Sequence, residues 1–259
     1  MARFKGWLAI PATRDLHVDD PRTTMLRREI LESKPFLKKV YLQWYRRILE
    51  SLPPSEGKVL ELGSGGGFLR QLLPSLLTSE IVAWQGVALV ADGQRLPLAS
   101  GSLRAIVMTG VFHHLPDAEA FLREAARCVR PGGVVTMVEP WVSAWSRIVY
   151  RSYGHEPFLP DAAEWEFPSD GPLSGANGAL PWIVFQRDRA RFERDLPEWS
   201  VERVEPFMPV AYLLSGGLSL KSLMPGFSFG LWNLAERSLN PVMENVAMFA
   251  LIVLRRRPE

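Results

Sequence analysis

Three stretches of the 259-residue sequence hold side chains that could do chemistry. The first, VLELGSGGGF at 59–68, places an acid, Glu61, just before Gly63, Ser64, Gly65, Gly66 and Gly67. Glycines there can take positive φ and turn bare N–H groups towards a ligand, and a strand, glycine loop and helix in succession make a cofactor cradle. The dinucleotide fingerprint G-x-G-x-x-G is not complete, because Phe68 stands where its third glycine would allow close helix packing. The second stretch is the doublet in VFHHLP, His113 and His114, followed by Glu139 in VVTMVEP; the third is His155 with Glu156. Imidazoles and carboxylates near strand ends are the usual general bases, so His113, Glu139 and His155 are the candidate catalytic residues.

The elements that must position these residues can be read from apolar patterning. Val59, Leu60 and Leu62 form a short buried strand after a Pro/Ser/Gly break, and FLRQLLPSLL has the spacing of the helix that follows the loop. SLRAIVMTGV and VVTMVEP read as buried parallel strands, flanking a helix with Asp117 as N-cap, Phe121, Leu122 and Ala125 on one side, and RPGG as its stop. This alternation predicts a doubly wound parallel sheet. Ahead of it lie two helices, one with an N-cap at Asp20, the other turning Phe36, Val40, Trp44 and Ile48 inward. They form an arm that could lie over a cofactor site. WSVERVEPF and NVAMFALIVLRRR supply two late strands.

The expected organisation is an N-terminal helical arm at 1–52, a cofactor-binding core at 53–140 and an inserted substrate-binding region at 141–200. The last two strands then occupy 201–259, with an apolar helical insertion at 206–244. Hydrophobic residues make up 47% of the chain, enough for a real core. The 30 Lys and Arg nearly balance the 28 Asp and Glu, leaving no field that would argue for a nucleic-acid partner. The single cysteine, Cys128, cannot form an internal disulfide, and the N-terminal apolar stretch is too short for a signal peptide, so a cytoplasmic location is expected. No metal ligand is expected.

In order and spacing, VLELGSGGGF, ADGQRLPLASGSLRAIVMT, VFHHLPDAEAFLREAARCVRPGG and VVTMVEP resemble the core of class I S-adenosylmethionine-dependent methyltransferases of the type 11 group. The resemblance implies an α/β, Rossmann-like, seven-stranded sheet, mostly parallel with an antiparallel last strand, and S-adenosyl-L-methionine as cofactor. Glu61, with Gly63, Ser64, Gly65 and Gly67, would then hold the methionine and ribose part, Asp92 and Gln94 would line the adenine edge, and Gly110 would offer its carbonyl near the ammonium. Only about half the family's usual length separates Gly67 from Asp92. The second strand therefore reads as shortened, without the acid that binds the ribose hydroxyls, and Gln85, Trp84 or the N-terminal arm are the substitute candidates.

The insert is rich in aromatics (Trp141, Trp145, Tyr150, Tyr153, Phe158, Trp165, Phe167 and Trp182) and suggests an aromatic-lined acceptor pocket. Residues 206–235 carry one charged side chain, Lys221, interrupted by Pro209, Gly216, Gly217 and Pro225; they could cover that pocket or touch a membrane surface, but not span one as a regular helix. The expected acceptor is a small apolar or amphipathic molecule, such as a secondary metabolite or a lipid-linked saccharide. Two alternatives stand beside it: a scaffold that kept the fold without the transfer, and an enzyme of this fold with a different reaction.

Overall fold

The computed structural model describes residues 21–84, 86–153, 156–169, 171 and 175–258; Asp20, Gln85 and His155 lie outside the described residues. Helices α1 (Pro21–Ser33) and α2 (Pro35–Glu50) precede β1 (Lys58–Leu62), which is followed by a single helical turn, α3 (Leu69–Leu72). Then come β2 (Leu77–Glu80), β3 (Leu89–Val90), β4 (Leu103–Thr109), α4 (Ala118–Cys128) and β5 (Val129–Pro140). After α5 (Ala144–Tyr153) and α6 (Arg189–Asp195), the chain runs through β6 (Trp199–Phe207), α7 (Ala211–Ser215), α8 (Phe229–Arg237) and β7 (Phe249–Arg256).

The seven strands lie in the order β3-β2-β1-β4-β5-β7-β6, and β7 is antiparallel to both of its neighbours. This is the doubly wound, mostly parallel sheet expected. Strand residues alternate between the two faces as the pleat requires. Leu60, Ile106 and Met108 pack under α4 with Phe121 and Leu122, whereas Val59, Ala105 and Val107 pack under α2 with Phe36, Val40, Trp44 and Ile48. Asp117 caps α4, its side chain accepting the N–H of Ala120 at 2.8 Å. Among the described residues no helix is long and apolar enough to cross a membrane.

Two expectations need correction. The helix after the glycine loop stops after one turn because Leu73 precedes Pro74, which favours the extended backbone that Leu73 takes (ψ 84). The second strand therefore starts at Leu77, and contrary to expectation it does end in an acid, Glu80. What is shortened is the helix before β2 and the connection after it. Second, Trp165 is fully buried in the core, with its indole N–H on Asp188 at 2.9 Å, and Trp141, Phe158, Phe167 and Trp182 pack in the same cluster. These insert aromatics fill the core on the α4 side of the sheet, because the insert has no sheet of its own to cover it.

Candidate active site

The C-terminal ends of β1, β2, β4 and β5 open into a cavity of about 580 Å³, well within the range of small-molecule sites. Glu61 enters it from β1, Glu80 from β2, and Asp92 and Gln94 from the turn after β3; Gly63, Ser64, Gly65, Gly67 and Gly110 also line it. Arg27 of α1 and Tyr41, Trp44 and Tyr45 of α2 close it from above, so the N-terminal arm is a wall of the site.

The glycines of the loop divide the work. Gly65 (φ 52) sits in the left-handed region, and a side chain there would meet only Glu80, whose carboxylate accepts the Gly65 N–H. At Gly66 a Cβ would lie 2.5 Å from the backbone nitrogen of Arg28, so this glycine lets α1 rest directly on the loop. The loop is bare partly for a ligand and partly for its own lid. Ser64 is buried and gives its hydroxyl to the Ser79 carbonyl at 3.0 Å, tying β1 to β2.

Glu61 is 4% exposed and, among the described residues, has no basic side chain beside it. Burial, with the charge of Glu80 nearby, pushes its carboxyl up to about 8. Burial also raises Glu80, against the Gly65 N–H and the Arg27 charge. A deep acid without a cationic partner fits an incoming ammonium, and Glu80, at the end of β2, stands where a nucleoside hydroxyl pair could be received. Sequence reasoning missed Glu80, although a Pro-terminated helix followed by LTSE was the signal for it. Asp92 is exposed on its turn, accepting the Gln94 N–H at 2.9 Å, so it both shapes the turn and lines the cavity.

At the other end of the cavity stand His113 and His114, on the 3-10 turn Phe112–His114 after β4. Glu139, fully buried on β5, accepts the Val111 and Phe112 N–H groups at 2.8 Å each and holds His113 Nδ1 at 2.7 Å. It lies behind His113 and does not line the cavity, because its oxygens are taken by the turn it anchors; Glu139 is thus a positioning group, not a base facing an acceptor. Glu156, half-exposed, meets His113 Nε2 at 3.2 Å. Burial works against a charge on His113, but the two carboxylates outweigh it and raise its pKa to about 10. His114 is held down at about 4 by burial and by its neighbour His113. Burial opposes ionisation of Glu156 too, yet the His113 hydrogen bond and charge bring it down to about 2. The remaining wall is apolar: Tyr150, Tyr212, Leu218 and Phe249 join Tyr41 and Trp44. It comes from the arm, from α5, from the segment around α7 and from β7, and among the described residues Tyr150 is the one insert aromatic singled out from the sequence that lines it.

A glycine loop after β1, acids at the ends of β1 and β2, and a 3-2-1-4-5-7-6 sheet with β7 reversed define the class I methyltransferase architecture. Residues 60–137 match the family model described as a methyltransferase domain. Over these residues the chain carries the methyltransferase-domain pattern, and its sheet has the class I methyltransferase fold. It is similar in fold to a chain from the complex between the Haloferax volcanii Trm112 methyltransferase activator and a proposed methyltransferase (TM-score 0.53, 13% identity, covering 94% of this chain and 99% of that one). It is likewise similar to a geranyl diphosphate C-methyltransferase from Streptomyces coelicolor A3(2) solved with Mg2+, geranyl diphosphate and S-adenosyl-L-homocysteine (TM-score 0.51, 11% identity, covering 85% and 80%). No curated protein matches the chain.

Proposed function

We propose that this enzyme binds S-adenosylmethionine at the acidic end of the cavity and methylates a small apolar or amphipathic acceptor held against the aromatic end. The observation that carries the reading is the continuity of one cavity from Glu61, Gly65 and Glu80 to Tyr41, Trp44, Tyr150, Tyr212 and Phe249. Glu61 would take the ammonium and Glu80 the ribose, with Asp92 and Gln94 on the adenine edge. When bound, the cofactor supplies an activated methyl group; the chain contributes orientation and exclusion of water, which are the main catalytic terms for an in-line displacement.

The arm does the excluding, since α1 lies on Gly66 and α2 places Tyr45 over the loop. His113 and Glu156 face the same space, hydrogen-bonded to each other, and are placed to orient an acceptor hydroxyl. Phe227, Leu231 and Leu234 are exposed on and beside α8, the helix whose Glu236 accepts the N–H groups of Val210 and Ala211 at the start of α7, and this supports delivery of the acceptor from a lipid surface as part of the same reading. Incubation with methyl-labelled S-adenosylmethionine and a panel of apolar hydroxylated, phenolic and glycosidic acceptors tests the function. A labelled product one methylene heavier supports it; turnover of an acceptor without any mass gain would replace it with a different reaction on this fold.

A further inference from the structure

The proton-handling cluster has a geometry that methyl transfer alone does not require. His113 Nδ1 is occupied by Glu139 Oε2 at 2.7 Å, and His114 Nδ1 faces the Gly175 carbonyl at 3.1 Å. A carbonyl can only accept, so His114 carries its proton on Nδ1, and Glu139 selects the same nitrogen on His113. Both Nε2 atoms are thereby presented together, and both face one carboxylate. His113 Nε2 lies 3.2 Å from Glu156 Oε2, and His114 Nε2 lies 3.6 Å from Glu156 Oε1, with the two rings 4.2 Å apart. In the metal-free protein a proton on His113 Nε2 bridges that nitrogen to Glu156; a cation held by both Nε2 atoms and the carboxylate would displace it and take over its positive charge.

We infer that His113, His114 and Glu156 form a binding site for a first-row divalent transition-metal ion, with Zn2+ as the reference case and at least one coordination position open to the cavity. Two imidazoles and one carboxylate are the ligand set of catalytic zinc sites, in which bonds of about 2.0–2.2 Å put neighbouring ligand atoms roughly 3.3 Å apart. The two nitrogen-to-oxygen separations here bracket that value, and one ligand atom from each residue falls within 4.8 Å of the others. The supporting shell is already built: a buried carboxylate on one histidine and a backbone carbonyl on the other fix the ring orientations, as around most metal-bound histidines. A nitrogen-rich set suits Zn2+, Co2+ or Ni2+ better than Mg2+ or Ca2+, which favour all-oxygen shells. All three residues line the cavity, so an open position would face the acceptor end, where an acceptor oxygen could coordinate; that last clause rests on the methyltransferase reading, whereas metal binding does not.

The test uses the full-length, tag-free chain stripped of metal with a chelator, titrated with Co2+ and followed by its visible ligand-field bands, then with Zn2+ as competitor. Glu156→Gln and His114→Phe are run beside it, with circular dichroism and S-adenosylhomocysteine binding reporting that each variant is folded. The inference expects one equivalent of Co2+ with bands of low-symmetry nitrogen and oxygen coordination, displaced by Zn2+ and lost in both variants. Glu139→Gln, which leaves the three ligands in place, should weaken binding by about 10- to 100-fold. Absence of Co2+ and Zn2+ binding in the folded chain overturns the site, as does binding that Glu156→Gln and His114→Phe leave unchanged. Either result is read without reference to methyl transfer, so failure of the metal site and failure of the methyltransferase reading are separable.

Discussion

Glu61 is a buried acid without a cationic partner among the described residues, and that has a measurable cost. Its carboxyl is held at about 8 in the folded chain against an ordinary 4.5, first by burial and then by Glu80. Between these two values the folded state retains a proton that the unfolded chain has lost, so stability falls as pH rises through the window and levels off above about 8. At about 1.4 kcal/mol per pH unit the whole window amounts to a ceiling of about 5 kcal/mol, of which about 3 kcal/mol is already present at pH 7. Glu61→Gln keeps the shape and removes the ionisation. The variant should therefore be more stable than the wild type at pH 8 and above, by up to a few kcal/mol, and the two should converge near pH 5. Urea unfolding of both proteins at intervals between pH 5 and pH 9 reads this directly. The same substitution should weaken S-adenosylmethionine binding by at least tenfold, because a charge-assisted contact to the ammonium is worth about 1.5–3 kcal/mol. Parallel stability profiles with no convergence would refute the reasoning about the buried carboxyl, and unchanged cofactor affinity would remove Glu61 from the site.

Further outcomes follow from other parts of the cavity. Gly66→Ala drives a methyl group into the Arg28 backbone, so it should lift α1 from the loop, destabilise the chain by about 1–3 kcal/mol in urea unfolding and expose α1 to limited proteolysis. Tyr212→Leu removes a ring packed at 4.9 Å from Phe249 and 5.6 Å from Trp44; once an acceptor is in hand, its KM should rise about 5- to 10-fold while cofactor affinity stays unchanged in calorimetry. Phe227 is 87% exposed and Leu231 69%, so the double substitution Phe227→Ser, Leu231→Ser should abolish co-flotation with phosphatidylcholine and phosphatidylglycerol vesicles if this face meets lipid. The unfolding midpoint should stay within error, since neither side chain packs in the core.

The sheet was legible because its central strands are covered on both faces. Ala105–Met108, Val134–Val138 and Phe249–Leu254 are near-continuous apolar runs, which few other elements produce. The two-residue β3 carries no pattern long enough to read, and β2 was misplaced because LRQLLPSLL has helical spacing that Pro74 ends early. Glu80 was lost with it. The arm's inward residues on α2 followed from their spacing, but that α1 would sit on Gly66 depends on a tertiary contact no local pattern carries. His113 and Glu139 are 26 residues apart, yet each follows or ends one of two adjacent parallel strands, β4 and β5, so their meeting was implicit in the topology. Glu156 joins them through an irregular loop with no periodicity, and its contact could be found only in the fold. The aromatics misled for a general reason: composition records how many rings a segment holds, not which side of the sheet receives them.

The most direct test of the central claim is calorimetric titration of the purified chain with S-adenosylmethionine and S-adenosylhomocysteine, with Gly65→Val and Glu80→Gln alongside. The cavity as described calls for one site per chain at micromolar affinity for both ligands, lost in Gly65→Val, where a β-branched side chain would have to adopt φ 52 beside Glu80, and weakened by at least tenfold in Glu80→Gln. Absence of binding by a folded wild-type chain, or binding indifferent to both substitutions, would contradict it.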